Sequence, residues 1–278
     1  MRALLPDAHY LYGADVAAFP YGAWDEPLLV ERIVAVMARL IAEARPDVVV
    51  VACNTASTLA LARLREAFTV PFVGTVPAIK PAAEQTASRI IGVLATPGTV
   101  NRDYTRSLIH TYADHCKVVL HGAARLASLA EAKLRGDLLD PGAIREEIRQ
   151  VFHCLDGRRT DTVVLGCTHY PLLLPELEAA SPWPVSFIDP APAIARRVAS
   201  IVATLPARLP EAADRAPDGT VFLTGPGASS SLAVYAGQGF ALPVLVDVAC
   251  AAQSPPLPPP SPSPASPRTS TSNMRSPC

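Results

Sequence analysis

The residues best equipped for chemistry are two cysteines that the chain presents in nearly the same way. Asp47-Val48-Val49-Val50-Val51-Ala52-Cys53-Asn54-Thr55 and Asp161-Thr162-Val163-Val164-Leu165-Gly166-Cys167-Thr168-His169 each run from an aspartate through apolar residues to a thiol. Small hydroxyl or amide side chains follow each thiol. A thiol between a strand end and a helix N-terminus feels positive potential, which lowers its pKa from about 8.5 toward neutrality. A thiolate on one face of a carbon and a thiol on the other can remove a proton and return one with inversion, without a cofactor. Asn54, Thr55 and Thr168 add side-chain donors, and the turns add backbone N–H groups that hold carboxylates without Lys or Arg. Packing alone accounts for a lone cysteine, which is small and often buried. It does not call for Asn-Thr or Thr-His immediately afterwards.

His169 stands two residues beyond Cys167, where an imidazole tunes the thiol or hands on a proton. His9, His110, His115, His121 and His153 have no comparable setting and are expected to be solvated. Pro20-Tyr21-Gly22 is a turn; its backbone either approaches a ligand or merely opens the helix that follows. Thr96-Pro97-Gly98-Thr99, taken alone, reads as a helix cap. Cys116, Cys154 and Cys250 read as packing residues, and Cys278 lies in the C-terminal tail. No Cys-x-x-Cys pair occurs, so neither a zinc knuckle nor any other metal site is expected.

The elements that must position these residues follow from periodicity. Residues 25–44 carry a broad apolar face through Leu28, Leu29, Ile33, Val36, Met37, Leu40 and Ile41, which predicts a helix that Pro46 ends. Residues 48–52 form a continuous β-branched run, expected of a strand buried on both faces of a parallel sheet. A helix over 54–68 follows. Strands are expected at 72–74, 89–95, 117–120, 162–166, 184–188, 221–223 and 244–246. Helices are expected at 78–87, 100–112, 125–135, 141–155, 172–180 and 191–205. This alternation predicts a doubly wound α/β architecture, whose ligands bind beyond the carboxyl ends of the strands.

The chain has 278 residues, is 50% hydrophobic and carries a net charge of −1. That length supports one large or two modest α/β domains. Among its 24 basic Lys and Arg residues only Lys80, Lys117 and Lys133 are lysines, and no basic patch argues for nucleic acid. Apolar runs fall short of a membrane span, and the N-terminal apolar stretch is too short for a secretory signal. Free thiols then fit a cytoplasmic setting. From Gln253 the composition turns to Pro, Ser and Thr, which predicts a disordered tail over 252–278.

Taken together the motifs resemble glutamate racemase, in the aspartate/glutamate racemase superfamily. The matching stretches are Phe19-Pro20-Tyr21-Gly22, Val51-Ala52-Cys53-Asn54-Thr55-Ala56-Ser57, Gly92-Val93-Leu94-Ala95-Thr96 with Thr99, and Gly166-Cys167-Thr168-His169-Tyr170-Pro171-Leu172-Leu173. The resemblance implies two pseudo-symmetric parallel-sheet domains with the active site between them: residues 1–77 with 189–251, and residues 78–188. It implies cofactor-free interconversion of L- and D-glutamate, supplying peptidoglycan synthesis, with glutamate as the small-molecule partner and a homodimer left open. It maps Cys53 and Cys167 onto the proton donor/acceptors. Tyr21, Gly22, Asn54, Thr55, Thr168 and His169 map onto substrate contacts, Thr96 and Thr99 onto the pocket lining, and Glu131 onto an acidic residue near the site.

The family opens with a strand and an Asp-Ser-Gly-x-Gly-Gly turn ahead of the region that begins here at Leu4. From that difference a mis-set start or a truncated copy is expected, with weakened stability and activity. The alternatives are a non-catalytic glutamate-binding homologue and a related aspartate or hydantoin racemase. A cysteine hydrolase using Cys167 and His169 leaves Cys53 unexplained. A pyridoxal-phosphate enzyme lacks a lysine in any of these motifs.

Overall fold

The computed structural model of the chain describes residues 1–206, 217–225, 232–240 and 242–248. The strands are β1 (Tyr12–Ala14), β2 (Val49–Val51), β3 (Phe72–Gly74), β4 (Ile90–Ala95), β5 (Lys117–Gly122), β6 (Cys154–Leu155), β7 (Arg158–Arg159), β8 (Thr162–Gly166), β9 (Ser186–Ile188), β10 (Thr220–Leu223) and β11 (Leu242–Leu245). The α-helices are α1 (Glu26–Ala44), α2 (Asn54–Ala67), α3 (Ile79–Gln85), α4 (Pro97–Val100), α5 (Asp103–Tyr112), α6 (Leu126–Leu134), α7 (Pro141–Ile148), α8 (Leu174–Ala180), α9 (Ala191–Val202) and α10 (Leu232–Gly237). The Pro-rich tail and Cys250 lie outside the described residues.

The largest sheet has the order β5-β4-β8-β9, parallel throughout. Every residue of β4 and β8 is buried. Side chains on a strand point alternately to the two faces, and the packing follows suit. Leu94, Val163 and Leu165 join α6, α7 and α8 on one face, while Ile91, Val93 and Val164 join α3 and the partly buried face of α5 on the other. Helices therefore cover both faces, as a doubly wound sheet requires. Burying each of these Ile or Leu side chains contributes about 1.5–3 kcal/mol before the entropy cost.

The N-terminal strands β1 to β3 and the late strands β10 and β11 form two shorter parallel ladders, β2-β3 and β1-β10-β11. Helix α1 packs on both. Leu29 and Ile33 meet Val51 and Phe72, whereas Leu40 and Ala44 meet Phe222. The architecture is thus the expected pair of parallel-sheet α/β domains.

Several elements differ from the sequence pattern for local reasons. The helix expected at 25–44 begins one residue later because Asp25 is its N-cap, accepting from the Leu28 amide. The stretch 141–155 stops being α-helical at Ile148. Cys154–Leu155 and Arg158–Arg159 then form a small antiparallel hairpin across Asp156-Gly157, both at positive φ (51° and 73°). Asp-Gly is the residue pair that a tight hairpin turn favours. Pro97 opens a separate short helix, so the helix expected at 100–112 is split. Strand β1 escapes the sequence pattern: it has three residues and a glycine at its centre.

Candidate active site

Register sets the site. Val51 lies opposite Gly74, and Ala95 lies opposite both Gly166 and Gly122. Parallel strands end level here, so Thr96 and Cys167 leave neighbouring strand ends side by side. Gly166 makes that possible: a Cβ there would sit 2.9 Å from Leu94 O and from the Ala95 Cβ.

The two cysteine motifs then meet. The Thr168 hydroxyl donates to the carbonyl of Ala52, the residue before Cys53 (3.0 Å). The hydroxyls of Thr55, Thr96 and Thr99 form a closed triangle of 3.0, 3.0 and 3.3 Å, joining the start of α2 to the β4–α4 loop. Gly22 packs on the same loop, where an added Cβ would lie 3.4 Å from the Thr96 Cβ. The Phe19 and His169 rings are 5.6 Å apart. The two cysteine motifs are therefore brought together, and the Thr96–Thr99 stretch contacts the start of α2 as well as starting a helix.

Each thiol has its own setting. Cys53 is the N-cap of α2, and its Sγ accepts from the Ala56 amide at 3.4 Å. The next residue, Asn54, is 2% exposed, and neither its amide nitrogen nor its oxygen has a hydrogen-bond partner. A buried polar group left unmet costs about 1–3 kcal/mol, so this side chain holds recognition capacity unspent. Ser57, one turn on, donates to Val51 O and accepts from the Thr75 amide, clamping α2 to the ends of β2 and β3.

Cys167 is 8% exposed and precedes a 3-10 turn (Tyr170–Leu173), with α8 only afterwards. His169 Nδ1 lies 3.8 Å from its Sγ, and His169 Nε2 lies 2.9 Å from Glu131 Oε1. The hydrogen bond to His169 holds Glu131 below its ordinary carboxylate range, although partial burial acts in the opposite direction. An ionised carboxylate only accepts, so Nε2 carries the hydrogen. In the neutral ring, Nδ1 is then an acceptor facing the thiol. Tyr170 is fully buried and donates to Ala123 O (2.9 Å), fixing the turn beyond the thiol.

Burial decides the resting protonation state. Loss of water pushes the Cys167 thiol up to about 12; the amides of His169 and Tyr170 pull it down, while nearby Cys53 adds to the rise. Loss of water also raises Cys53, against the Ala56 and Thr55 amides and the Thr55 hydroxyl. The expected lowering toward neutrality is overturned, because desolvation outweighs what a single helix turn supplies. Both resting thiols are neutral acids.

The Tyr21 hydroxyl donates to Asp15 Oδ2 (2.8 Å). Asp15 and Arg32 belong to no sequence motif: one is a lone acid in a short loop, the other a lone base on an apolar helix face. Among the remaining histidines, His9, His110 and His115 are exposed, whereas His121 and His153 are half-buried. Two surface depressions of about 460 and 430 Å³, around Arg145, Arg149 and Trp183, include no residue of the thiol site.

Residues 2–198 match the family described as Asp/Glu/Hydantoin racemase. The chain is 55% identical over 202 residues to a glutamate racemase of Brucella anthropi, covering 72% of this chain and 73% of that protein. It is 51% identical over 224 residues to one of Brucella canis, covering 80% of each. Its fold is similar to the crystal structure of Escherichia coli glutamate racemase in complex with L-glutamate and the activator UDP-MurNAc-ala. That match has a TM-score of 0.81 and 42% identity, covering 89% of this chain and 91% of that one. A glutamate racemase of Bacillus anthracis is similar at TM-score 0.71 and 26% identity, covering 89% and 91%.

Proposed function

As this chain belongs to the Asp/Glu/Hydantoin racemase family, we propose that it interconverts L- and D-glutamate by two-thiol proton transfer at Cα. The relatives at 51–55% identity are glutamate racemases, which favours glutamate over aspartate or a hydantoin and catalysis over mere binding.

The observation that carries the mechanism is the joining of the two strand-end thiol motifs through Thr168 and Ala52. One thiolate takes the α-proton: the Cα–H bond breaks and an S–H bond forms. The electron pair left at Cα takes a proton from the opposite thiol, whose S–H bond breaks. Nothing is oxidised or reduced, and the thiols exchange roles in the reverse direction. Because both start as neutral acids, ionising one is a cost that substrate binding must offset. The α-ammonium brings a positive charge that favours a neighbouring thiolate. On the Cys167 side, His169 Nδ1 is the base in reach of the thiol proton, and Glu131 stabilises the imidazolium that results.

The α-carboxylate gains negative charge as Cα is deprotonated. Donors set beforehand around it lower the barrier most. We assign this task to Asn54, Thr55, Thr168 and the Tyr21-Gly22 backbone, with Thr96 and Thr99 lining the same pocket. The unpartnered Asn54 amide supports that assignment. Residues 78–188 form one domain in this reading, and residues 1–77 with the stretch from 189 form the other; the division of strands between sheets supports it. Supply of D-glutamate to peptidoglycan and a cytoplasmic setting complete the proposal. Among the described residues no helix is long and apolar enough to cross a membrane.

The test is replacement of each thiol. Cys53→Ala and Cys167→Ala, folded as judged by circular dichroism, are expected to lose racemisation of both enantiomers. Full racemisation by either variant refutes the mechanism.

A further inference from the structure

The segment from Asp15 to Trp24 bridges the two halves of the site, and a buried charge pair holds it. Asp15 follows β1, and its side chain is 4% exposed; Arg32, in the second turn of α1, is 9% exposed. The guanidinium grips the carboxylate as a fork, with Nε to Oδ2 at 2.7 Å and Nη2 to Oδ1 at 2.6 Å. The same carboxylate accepts from the Tyr21 hydroxyl at 2.8 Å and from the Thr224 hydroxyl just beyond β10. Thr224 Oγ1 in turn accepts from the Ala17 amide at 3.3 Å. Trp24 closes the segment: its Nε1 donates to Ala18 O at 2.9 Å, and its ring lies 5.6 Å from the Arg32 guanidinium carbon.

Packing alone does not require charge here, because apolar residues of similar volume often stabilise a site equally well. What a carboxylate that accepts an arginine fork and two hydroxyl bonds adds is direction. It fixes Tyr21 laterally, and Tyr21 fixes Gly22. Gly22 bears on Thr96 and Gly98, at and just inside the start of α4 beyond β4. At the other shoulder of the segment Phe19 bears on His169. The wall that faces both the hydroxyl triangle and the Cys167 base is thus set from a point buried behind it.

We infer that Asp15 and Arg32 are positioning residues for racemisation: through Tyr21 they hold the Tyr21-Gly22 turn in the place that sets substrate affinity. This rests on the reading of that turn as a substrate contact. Neither residue touches the reacting atoms, so the expected signature is in KM more than in kcat.

Two variants test it. Tyr21→Phe removes only the hydroxyl hook. The double replacement Asp15→Leu with Arg32→Met removes both charges of the pair together. Initial rates with L- and D-glutamate are read beside amide hydrogen exchange at Ala23 and Trp24, whose N–H groups bond to Pro20 O and Tyr21 O. Tyr21→Phe is expected to raise KM roughly tenfold for both enantiomers, with kcat within about threefold, and to speed exchange at both amides. The double variant is expected to do the same more strongly; if it does not fold, Tyr21→Phe decides alone. Unchanged KM in a folded Tyr21→Phe protein overturns the inference, whether exchange changes or not. A wild-type chain that turns over no glutamate overturns the substrate reading instead. In that case unchanged exchange in Tyr21→Phe overturns the pinning, and faster exchange upholds it.

Discussion

The Cys53 and Cys167 ends of the cleft are written alike in the sequence and built differently in the structure. Cys53 leaves the three-residue strand β2 and caps a fourteen-residue helix, with its sulfur on the Ala56 amide. Cys167 leaves β8, a strand buried along its whole length, and meets a 3-10 turn and the His169–Glu131 pair. One thiol is served by backbone amides at a helix start, the other by an imidazole braced by a carboxylate. Under the proposed mechanism, the likeness of the two halves extends to where the thiols stand and not to the groups that would handle their protons. Inversion needs one acid-base group on each face, and the two groups need not be tuned by the same means.

The largest expected effect comes from breaking either end outright. Cys53→Ser and Cys167→Ser should each cut racemisation by on the order of a thousandfold or more, since a general acid or base alone contributes about 10²–10⁴. Each variant keeps one thiol, so each should still exchange the α-proton of one enantiomer with solvent, and the two variants should favour opposite enantiomers. Proton NMR of L- and D-glutamate in D₂O reads this directly; the same enantiomer exchanging in both variants would break the two-ended account.

His169→Asn sharpens the asymmetry. It should lower kcat by about 10–100-fold. The L/D equilibrium constant is one, so kcat/KM must fall equally in both directions; any directional bias appears in the separate kcat values. An equivalent loss does not exist at the Cys53 end, where the helix supplies the donors. Glu131→Gln should have a smaller effect in the same sense, read from the same paired rates.

Stability should respond to pH from opposite sides at the two partners of the Cys167 end. Glu131 has a lowered folded-state pKa, so its contribution is present above the ordinary carboxylate range. It is lost as pH falls through the lowered value. Glu131 is partly exposed, so its share is small, and Glu131→Gln should slightly flatten the acid limb of thermal denaturation. Cys167 is raised from 9.0 to about 12, so the unfolded chain releases that proton first. The preference for the folded state is intact below pH 9 and declines through that window, at up to about 1.4 kcal/mol per pH unit. Cys167→Ser should remove that decline. The smallest effect is expected from Thr55→Val, which opens the hydroxyl triangle and should cost about 1 kcal/mol in chemical denaturation.

Much of this was legible in the chain. The apolar runs 48–52 and 162–166 mark the strands that lead to the two thiols: β8 is buried on both faces and so apolar throughout, whereas β2 is only partly buried, contrary to the expectation for its run. The polar residues after each cysteine mark the site, since a core does not need them. Other features were not legible, for physical reasons. The pairing of Asp15 with Arg32 depends on the angle at which α1 crosses β1, which no local pattern encodes. The resting state of the thiols depends on how much water folding removes from around them, and a helix N-terminus seen in sequence gives only the weaker opposing effect. The hairpin at 154–159 is marked by Asp156-Gly157, but the surrounding helical periodicity conceals it.

Two acid-base groups acting on opposite faces of Cα leave a distinct isotope wash-in during the first turnovers. Racemisation of L-glutamate, and separately of D-glutamate, is started in D₂O and stopped early, and deuterium at Cα is measured in both remaining substrate and new product. Two-thiol transfer yields product that is deuterated from the outset while the remaining substrate stays almost fully protonated, in both directions. Protonated product formed by return of the substrate's own proton, or substrate and product gaining deuterium at equal rates from the start, would contradict it.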